Sequence, residues 1–421
     1  MAAIKAFQAV YYNPDKVKDF GEVVCPPYDV ISKDQQEEYY KVNPYNFIRL
    51  ELPKESSKDD TKDNRYTRAH KTFEDWLKKG ILVQDEKPSI YYYKQEYKIR
   101  GQKYSRLGFI SLMKLSDDGS VKIYPHENTH AATKTDRLTL WSSLKAALSC
   151  IFVCFSDRQK KVEKIFVKEI STTKPLIDVV DQDKVHHMLW RMDNPEHIAE
   201  IANVLEGQQL FIADGHHRYE VAQEYRRLRM KDRSRLTGNE PFNYVMTYFT
   251  NMDSPDLQIF PMHRIVKQFP TQLDFLEEYF RIDKIKSKAD LLILLARAGQ
   301  NEHAFGLYDK VGIRLLRLKN KSLIDKLVQG GSKEYRNLDA SILKSLVFDR
   351  VGVTSEDILY TKDMEHATDM IDEKQADAAF ILNAVKIKQL RAIALTGEKM
   401  PAKTTYFYPK VLSGLTIHKM G

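Results

Sequence analysis

Apolar and polar positions alternate along SIYYYKQEYKIRGQKYSRLGFISLMKL, residues 89–115, and the alternation is interrupted once, at Arg100-Gly101. A period of two on both sides of such a pair predicts a β-hairpin. Upstream, RYTRAHKTFEDWLKKG places Ala69, Phe73, Trp76 and Leu77 at helical spacing, with Gly80 as the stop. Before it, IKAFQAVYYN and EVVCPPYDVIS read as strand-like and loop-like text, KDQQEEYYKV as a helix, and the polar stretch 53–64 as a long exposed loop. After the hairpin come a strand in SVKIY, a helix in LTLWSSLKAAL, a buried strand in IFVCFS, a helix over Pro195–Leu205 and a strand in QQLFIA.

From about residue 268 the pattern changes to longer helices, DFLEEYFRI, ADLLILLARAG and SLIDKLVQG, with the strands AFGLYD and IRLLRLK between the second and third. The closing MPAKTTYFYPKVLSGLTIHKM is too rich in Thr, Lys and Tyr for a mere tail and is expected to fold back on the core. The alternation of strands and helices predicts a mixed α/β (α+β) fold. Residues 1–267 are expected to form a catalytic core with insertions, and 268–421 a smaller second α/β unit. No internal repeat or low-complexity tract interrupts this plan.

Composition narrows the class. Of 421 residues, 43% are hydrophobic and 29% charged, close to globular averages. No apolar run approaches 18 residues and the first twenty residues lack a cleavable signal pattern, so a cytoplasmic protein without a membrane partner is expected. Cys25, Cys150 and Cys154 are too few for a disulfide framework and form no CxxC pair, and they read as reduced packing residues. The net charge of +8 suits anionic ligands, but the charges are interspersed. Even RRLRMKDRSR, residues 226–235, resembles a solvated helix end rather than a nucleic-acid stripe, and no nucleic-acid partner is expected.

The densest chemistry lies in FIADGHHRYEVAQEYRRL, residues 211–228. Leu210 to Ala213 form a short apolar strand, whereas Val221, Ala222, Tyr225 and Leu228 repeat as one face of a helix, so Asp214, Gly215, His216, His217 and Arg218 occupy the strand-to-helix junction. Such a junction aims backbone N–H groups and the positive end of a helix dipole at one spot, which suits phosphate. Gly215 allows close approach, Arg218 can fork onto phosphate oxygens, and His216 and His217 can donate to them. Asp214 conflicts with a bare phosphate unless Mg²⁺ or a hydroxyl proton mediates. The plainer alternative, a helix cap with surface histidines, accounts for Asp214 and leaves the three residues after Gly215 unexplained.

FIADGHHRYEVA resembles the DGHHR box of the ParB/Srx-like fold, shared by free-serine kinases and, in diverged form, by ParB-type CTPases. Six separated phrases carry a wider resemblance to the DUF1015 family: VVCPPYDVIS near residue 27, HENTHAATKTDR at 126–137, HHMLWRM at 186–192, FIADGHHRYE at 211–220, PMHRIV at 261–266 and MPAKTTYFYPKVLSGL at 400–415. The resemblance runs nearly end to end and implies a ParB/Srx-like core with additional α/β elements. The kinase relationship implies phosphoryl transfer to free L-serine, with the box holding the donor phosphates, Asp214 and His216 catalytic, and a glutamate from elsewhere as base.

That glutamate has no motif match. His126-Glu127-Asn128-Thr129-His130 fits the H-E-x-x-H zinc pattern, yet it follows a strand ending at Pro125 and has no apolar helical face, which disfavours a zinc hydrolase. Its better use is as the opposite wall of a phosphate site, with Glu127 as base, His126 on phosphate and Arg137 on substrate. Asp214 rivals Glu127 as the base, and Arg137 paired to Glu127 is the structural alternative. Asp29, with Tyr28 after a double proline, and Lys403 and Thr404, with Thr405 and Lys410 in an alternating strand, are further candidates for substrate contact. His186, His187 and His263 read as packing or polar support.

No P-loop and no kinase-type glycine loop occurs. The expected activity is therefore a phosphotransferase, a small-molecule kinase acting on the hydroxyl of L-serine or a similar metabolite, with Mg²⁺ and with ATP, ADP or pyrophosphate as donor. O-phosphoserine is its product, or its substrate in reverse. The rival from another class is a ParB-like nucleotide-binding partition or regulatory protein, which should carry a helix-turn-helix that the text after the box lacks.

Overall fold

The structure is a computed structural model, and it describes residues 4–115, 119, 121–171, 173–231 and 236–421. The last four residues of the basic run 226–235 lie outside it. The chain divides into two compact units. The first takes residues up to Pro125, Thr129–Leu257 and Pro409–Gly421; the second takes His126–Asn128 and Gln258–Tyr408. The division falls at Leu257/Gln258 and not at 267/268, because strand Gln258–Phe260 pairs with Tyr406–Tyr408 and His263–Val266 joins the second unit's sheet.

The first unit is built on a nine-stranded mixed sheet. Its order is Lys122–Tyr124, Gln209–Asp214, Ile151–Phe155, Tyr244–Asn251, Gln102–Lys114, Ile90–Ile99, His186–Met192 and Ile177–Val180, with Ile4–Lys5 beside Gln102–Lys114. Two neighbouring pairs are parallel, Gln209–Asp214 with Lys122–Tyr124 and Tyr244–Asn251 with Ile151–Phe155. The hairpin Ile90–Ile99/Gln102–Lys114 forms the centre, and its turn residues Arg100 (φ 49°) and Gly101 (φ 82°) are both left-handed, as a two-residue loop matched to strand twist requires.

Aromatic side chains fill the core on this hairpin. Tyr92 stacks on Phe166 at 4.4 Å between centroids and Phe109 on Phe249 at 5.0 Å. Helix Arg65–Lys78 buries Ala69, Phe73 and Trp76, is capped by the Asn64 side chain on the amides of Tyr66 and Thr67, and is followed by Gly80 at φ 64°. Helices Ala131–Leu144 and His216–Lys231 pack against each other. Among the described residues no helix is long and apolar enough to cross a membrane.

The second unit holds a six-stranded antiparallel sheet ordered Phe280–Ile285, Gly312–Leu318, Ala304–Asp309, Ala378–Ile381, His263–Val266 and Ile358–Thr361. Its period-two alternation serves two cores. Val266, Phe305, Leu316 and Phe380 pack into one, and Ile265, Leu315, Ala379 and Ile381 into the other, beneath helices Lys288–Ala298 and Met364–Asp372. DFLEEYFRI, expected as one helix, is helical only over Leu276–Tyr279; Phe280–Ile285 is an edge strand registered against Gly312–Leu318. Pairing with a distant strand overrides local helix propensity there.

Gly108 sits at the crowded centre of the first sheet, opposite Tyr93 and Thr250. A β-carbon there would lie 2.3 Å from the Phe249 carbonyl oxygen and 2.5 Å from the Tyr248 ring. Gly108→Ala is expected to destabilise the protein by about 1–3 kcal/mol in urea unfolding, and an unchanged midpoint would contradict this packing.

Candidate functional site

The DGHHR junction begins with a defect in strand pairing. Phe211 and Ile212 lie opposite Cys154 and Val153, but the register then slips so that Asp214, not Ala213, faces Phe152. Such a bulge re-aims the side chain that follows it. Gly215 turns the chain at φ 86°, a conformation that favours glycine, and its carbonyl accepts from Tyr219 N as helix His216–Lys231 begins. A β-carbon at Gly215 would stand 3.1–3.2 Å from the Arg218 guanidinium, so the turn needs glycine for space as well as for φ.

Asp214 is held by two cations. Lys410 Nζ donates to Oδ1 at 3.0 Å and Arg218 Nη2 to Oδ2 at 3.1 Å. Burial by itself pushes the carboxyl pKa up, but the charges of Lys410 and Arg218 outweigh it and hold Asp214 well below the usual carboxylate range. Arg218 is itself buried and also donates to the Cys150 carbonyl. Burial would lower the pKa of the guanidinium, yet the negative fields of Asp214 and Asp29 lead those that raise it.

Glu51 is a further carboxylate of this cluster, and the sequence reading missed it. It ends the short helix Ile48–Glu51, is 1% exposed, and its Oε1 has no hydrogen-bond partner among the described residues. Burial raises its pKa against the lowering fields of Arg137 and Arg218 and hydrogen bonds from Ser149 and the Tyr28 backbone. Its signal in the sequence is faint: a lone carboxylate in the apolar phrase FIRLEL. Arg137 donates to the Glu51 backbone carbonyl at 2.6 Å, lies 4.3 Å from the Tyr28 ring centroid, and pairs with Asp136. Asp29 is exposed, in the single turn Tyr28–Val30 that follows the two prolines. The structure thus gathers Asp29, Arg137, Asp214, Gly215, His216, His217 and Arg218 in one unit, with Glu51 and Lys410.

The two histidines differ. His216 is 4% exposed, whereas His217 Nε2 accepts the His130 amide at 2.9 Å and its ring stacks on that of His130. One nitrogen of His217 is therefore engaged in tying the start of helix Ala131–Leu144 to the junction. Glu220 joins the same helices, accepting from Thr129 Oγ1 at 2.7 Å and from Lys134 Nζ at 2.8 Å.

The remaining candidates belong to the second unit. His126 is buried; its carbonyl accepts from Met400 N at 2.7 Å and its Nε2 lies 3.2 Å from Thr405 Oγ1, which also reaches Glu127 Oε1 at 3.4 Å. Lys403 is exposed at φ 52°, and Thr404 is buried with its hydroxyl on the Pro401 carbonyl. The phrases HENTH and MPAKTT thus meet each other. HENTH is not helical, because the helix starts only at Ala131, so the two histidines lack the one-turn spacing of a zinc motif. Among the described residues no group of three or more His, Cys, Asp or Glu side chains comes together to hold a metal. Cys150 and Cys154 are buried free thiols, with pKa pushed up to about 12 by burial.

The chain belongs to the family described as protein of unknown function DUF1015, whose model matches residues 4–341. No curated protein matches it. Among solved structures it is similar to a mutant free serine kinase in complex with ADP, at 15% identity and a TM-score of 0.35, covering 68% of this chain and 84% of that one. It is also similar to a conserved hypothetical protein from Pyrococcus furiosus, at 13% identity and a TM-score of 0.34, covering 69% and 89%. A C-terminally truncated SbnI from Staphylococcus aureus stands at 11% identity and a TM-score of 0.38, covering 74% and 87%. Scores this low do not carry a ParB/Srx-like core.

Two outcomes follow from this geometry. Gly215→Ala is expected to cost about 1–2 kcal/mol from the left-handed backbone alone, read by thermal or urea unfolding. The Asp214 pKa is lower folded than unfolded, so its ion pairs stabilise the protein above the usual carboxylate range, and that contribution is lost as pH falls below about 4. Asp214→Asn should therefore flatten the acid limb of the stability–pH curve; an unchanged limb would mean that the two cations do not hold the carboxylate.

Proposed function

We propose that this protein is a phosphotransferase whose site is the DGHHR junction, and that it moves a phosphoryl group between a polyphosphate donor and the hydroxyl of a small metabolite such as L-serine. The observation that carries this reading is Asp214, an ionised carboxylate held between Lys410 and Arg218 immediately before the N-terminus of helix His216–Lys231. Phosphoryl transfer is accelerated chiefly by position and charge, and a helix N-terminus with two flanking cations supplies both.

A donor-bound Mg²⁺, a hard cation that takes one or two carboxylate oxygens and completes its shell with phosphate oxygens and water, would have to share Asp214 with Lys410 and Arg218, which occupy one oxygen each. When bound, Mg²⁺ would neutralise charge developing on the transferred phosphate. Arg218 and Lys410 fix the orientation of Asp214. Because those same cations keep it ionised, Asp214 is a weak proton acceptor at neutral pH.

Glu51 suits the role of base better. Its pKa is raised by burial, which brings a carboxylate nearer the pH at which it both stays ionised and accepts a proton readily. The opposite shifts of Asp214, lowered by Lys410 and Arg218, and Glu51, raised by burial, support assigning them to charge positioning and proton transfer respectively. Glu127, the base that the sequence suggests, lies in the second unit.

The test is ³¹P NMR of the purified protein with Mg²⁺ and L-serine, with ATP, ADP and pyrophosphate offered in separate tubes. A phosphoserine signal is expected in at least one. Asp214→Asn and Glu51→Gln should each lower turnover by roughly two to four orders of magnitude while remaining folded. Near-normal turnover in folded Asp214→Asn would remove the junction as the site. No phosphoserine from any donor would remove serine as acceptor.

A further inference from the structure

Three polar residues stand in line across the middle of the first unit's sheet. His187 is registered opposite Gln95, and Gln95 opposite Arg106, on three adjacent strands. Directly opposed residues share a face, so their side chains form one row. All three are 0% exposed. A guanidinium, an imidazole and an amide in the centre of an aromatic core are costly to bury unless each is directed to partners.

The partners form a chain. Asp181 Oδ2 lies 2.9 Å from His187 Nε2, and His187 Nδ1 meets the Tyr93 hydroxyl. Arg106 donates through Nε and Nη2 to Gln95 Oε1, the first at 3.0 Å, and its guanidinium lies 4.8 Å from the Phe152 ring centroid. The far end of the row leaves the sheet. Arg106 Nη2 donates to the Pro409 carbonyl, and Gln95 Nε2 donates to the Lys410 carbonyl at 2.9 Å.

Other main-chain bonds anchor the terminal segment further along, between Ser413 and Cys25, Ile417 and Val10, and Met420 and Lys145. The Gln95 and Arg106 side chains clamp it at the residue whose ammonium reaches Asp214. We propose that the His187–Gln95–Arg106 row is a positioning device, built to hold Lys410 on Asp214 and thereby to set the charge that the phosphate site presents. Its effect on turnover rests on the phosphotransferase reading; its effect on Lys410 does not.

Gln95→Glu separates these. It keeps the oxygen that accepts from Arg106 and removes the donor to the Lys410 carbonyl. Lysine acetylation followed by mass spectrometry reads Lys410, whose side chain is 12% exposed, against Lys87 at 76% as an internal standard. In Gln95→Glu the relative labelling of Lys410 is expected to rise about tenfold, the effect of losing one buried hydrogen bond. Turnover should fall by a similar factor, but not fall further when Lys410→Met is already present.

Unchanged Lys410 labelling in the folded variant overturns the proposal, as does an equal loss of turnover in the Lys410→Met background. If Gln95→Glu does not fold, Arg106→Lys keeps the charge and loses the fork onto Gln95 and Pro409; the same rise in labelling supports the proposal and its absence overturns it. A wild-type protein inactive with every donor would sink the phosphotransferase reading while the labelling comparison still decides this one.

Discussion

The charge triad Lys410–Asp214–Arg218 is the interaction on which the candidate site depends. Arg218 lies one helical turn beyond Asp214, so local helix geometry brings it back to the carboxylate. Lys410 comes from 196 residues away in the sequence, and only the docking of the terminal segment delivers it. The bulge at Ala213, the left-handed Gly215 and the buried Arg218 serve the same end: a carboxylate at the mouth of a helix N-terminus that stays charged because two cations offset its desolvation.

Buried charge of this kind is a poor source of stability. A buried ion pair commonly fails to repay its desolvation when compared with well-packed apolar residues, whereas it constrains orientation closely. Glu51, Arg106, Arg137 and Arg218 are each at most 3% exposed, and the three arginines are each committed to a specific carbonyl, ring or ion within one unit. Three of them, Glu51, Arg137 and Arg218, act on one another's charge beside the DGHHR junction. The aromatic core of the same unit, with Tyr92 and Phe109 on the opposite face of the sheet from Arg106, supplies the apolar burial that offsets the cost.

Much of the local structure was legible without the fold. The hairpin around Arg100-Gly101 is legible because strand alternation and turn chemistry agree, and helix Arg65–Lys78 because cap, apolar face and glycine stop coincide. Phe280–Ile285 was not, since its first three residues close the helical phrase DFLEEYFRI and become a strand by pairing with Gly312–Leu318. The domain boundary was misplaced by ten residues for the same cause: His263–Val266 belongs with strands more than 90 residues further on. Glu51 was barely legible, because a lone carboxylate in the apolar phrase FIRLEL does not by itself tell a buried glutamate from an exposed one.

By itself the sequence determined the mixed α/β class, the family and the strand-to-helix placement of DGHHR, because these rest on periodicity, turn residues and short phrases read within one window. Tertiary structure decided which charges surround Asp214, that Glu51 is buried with an open oxygen, and that His187, Gln95 and Arg106 stand in one row. The pKa of a carboxylate and the direction of a lysine depend on what lies within a few ångströms, and residues such as Lys410 and Gln95, far apart along the chain, become neighbours only when the sheet is formed.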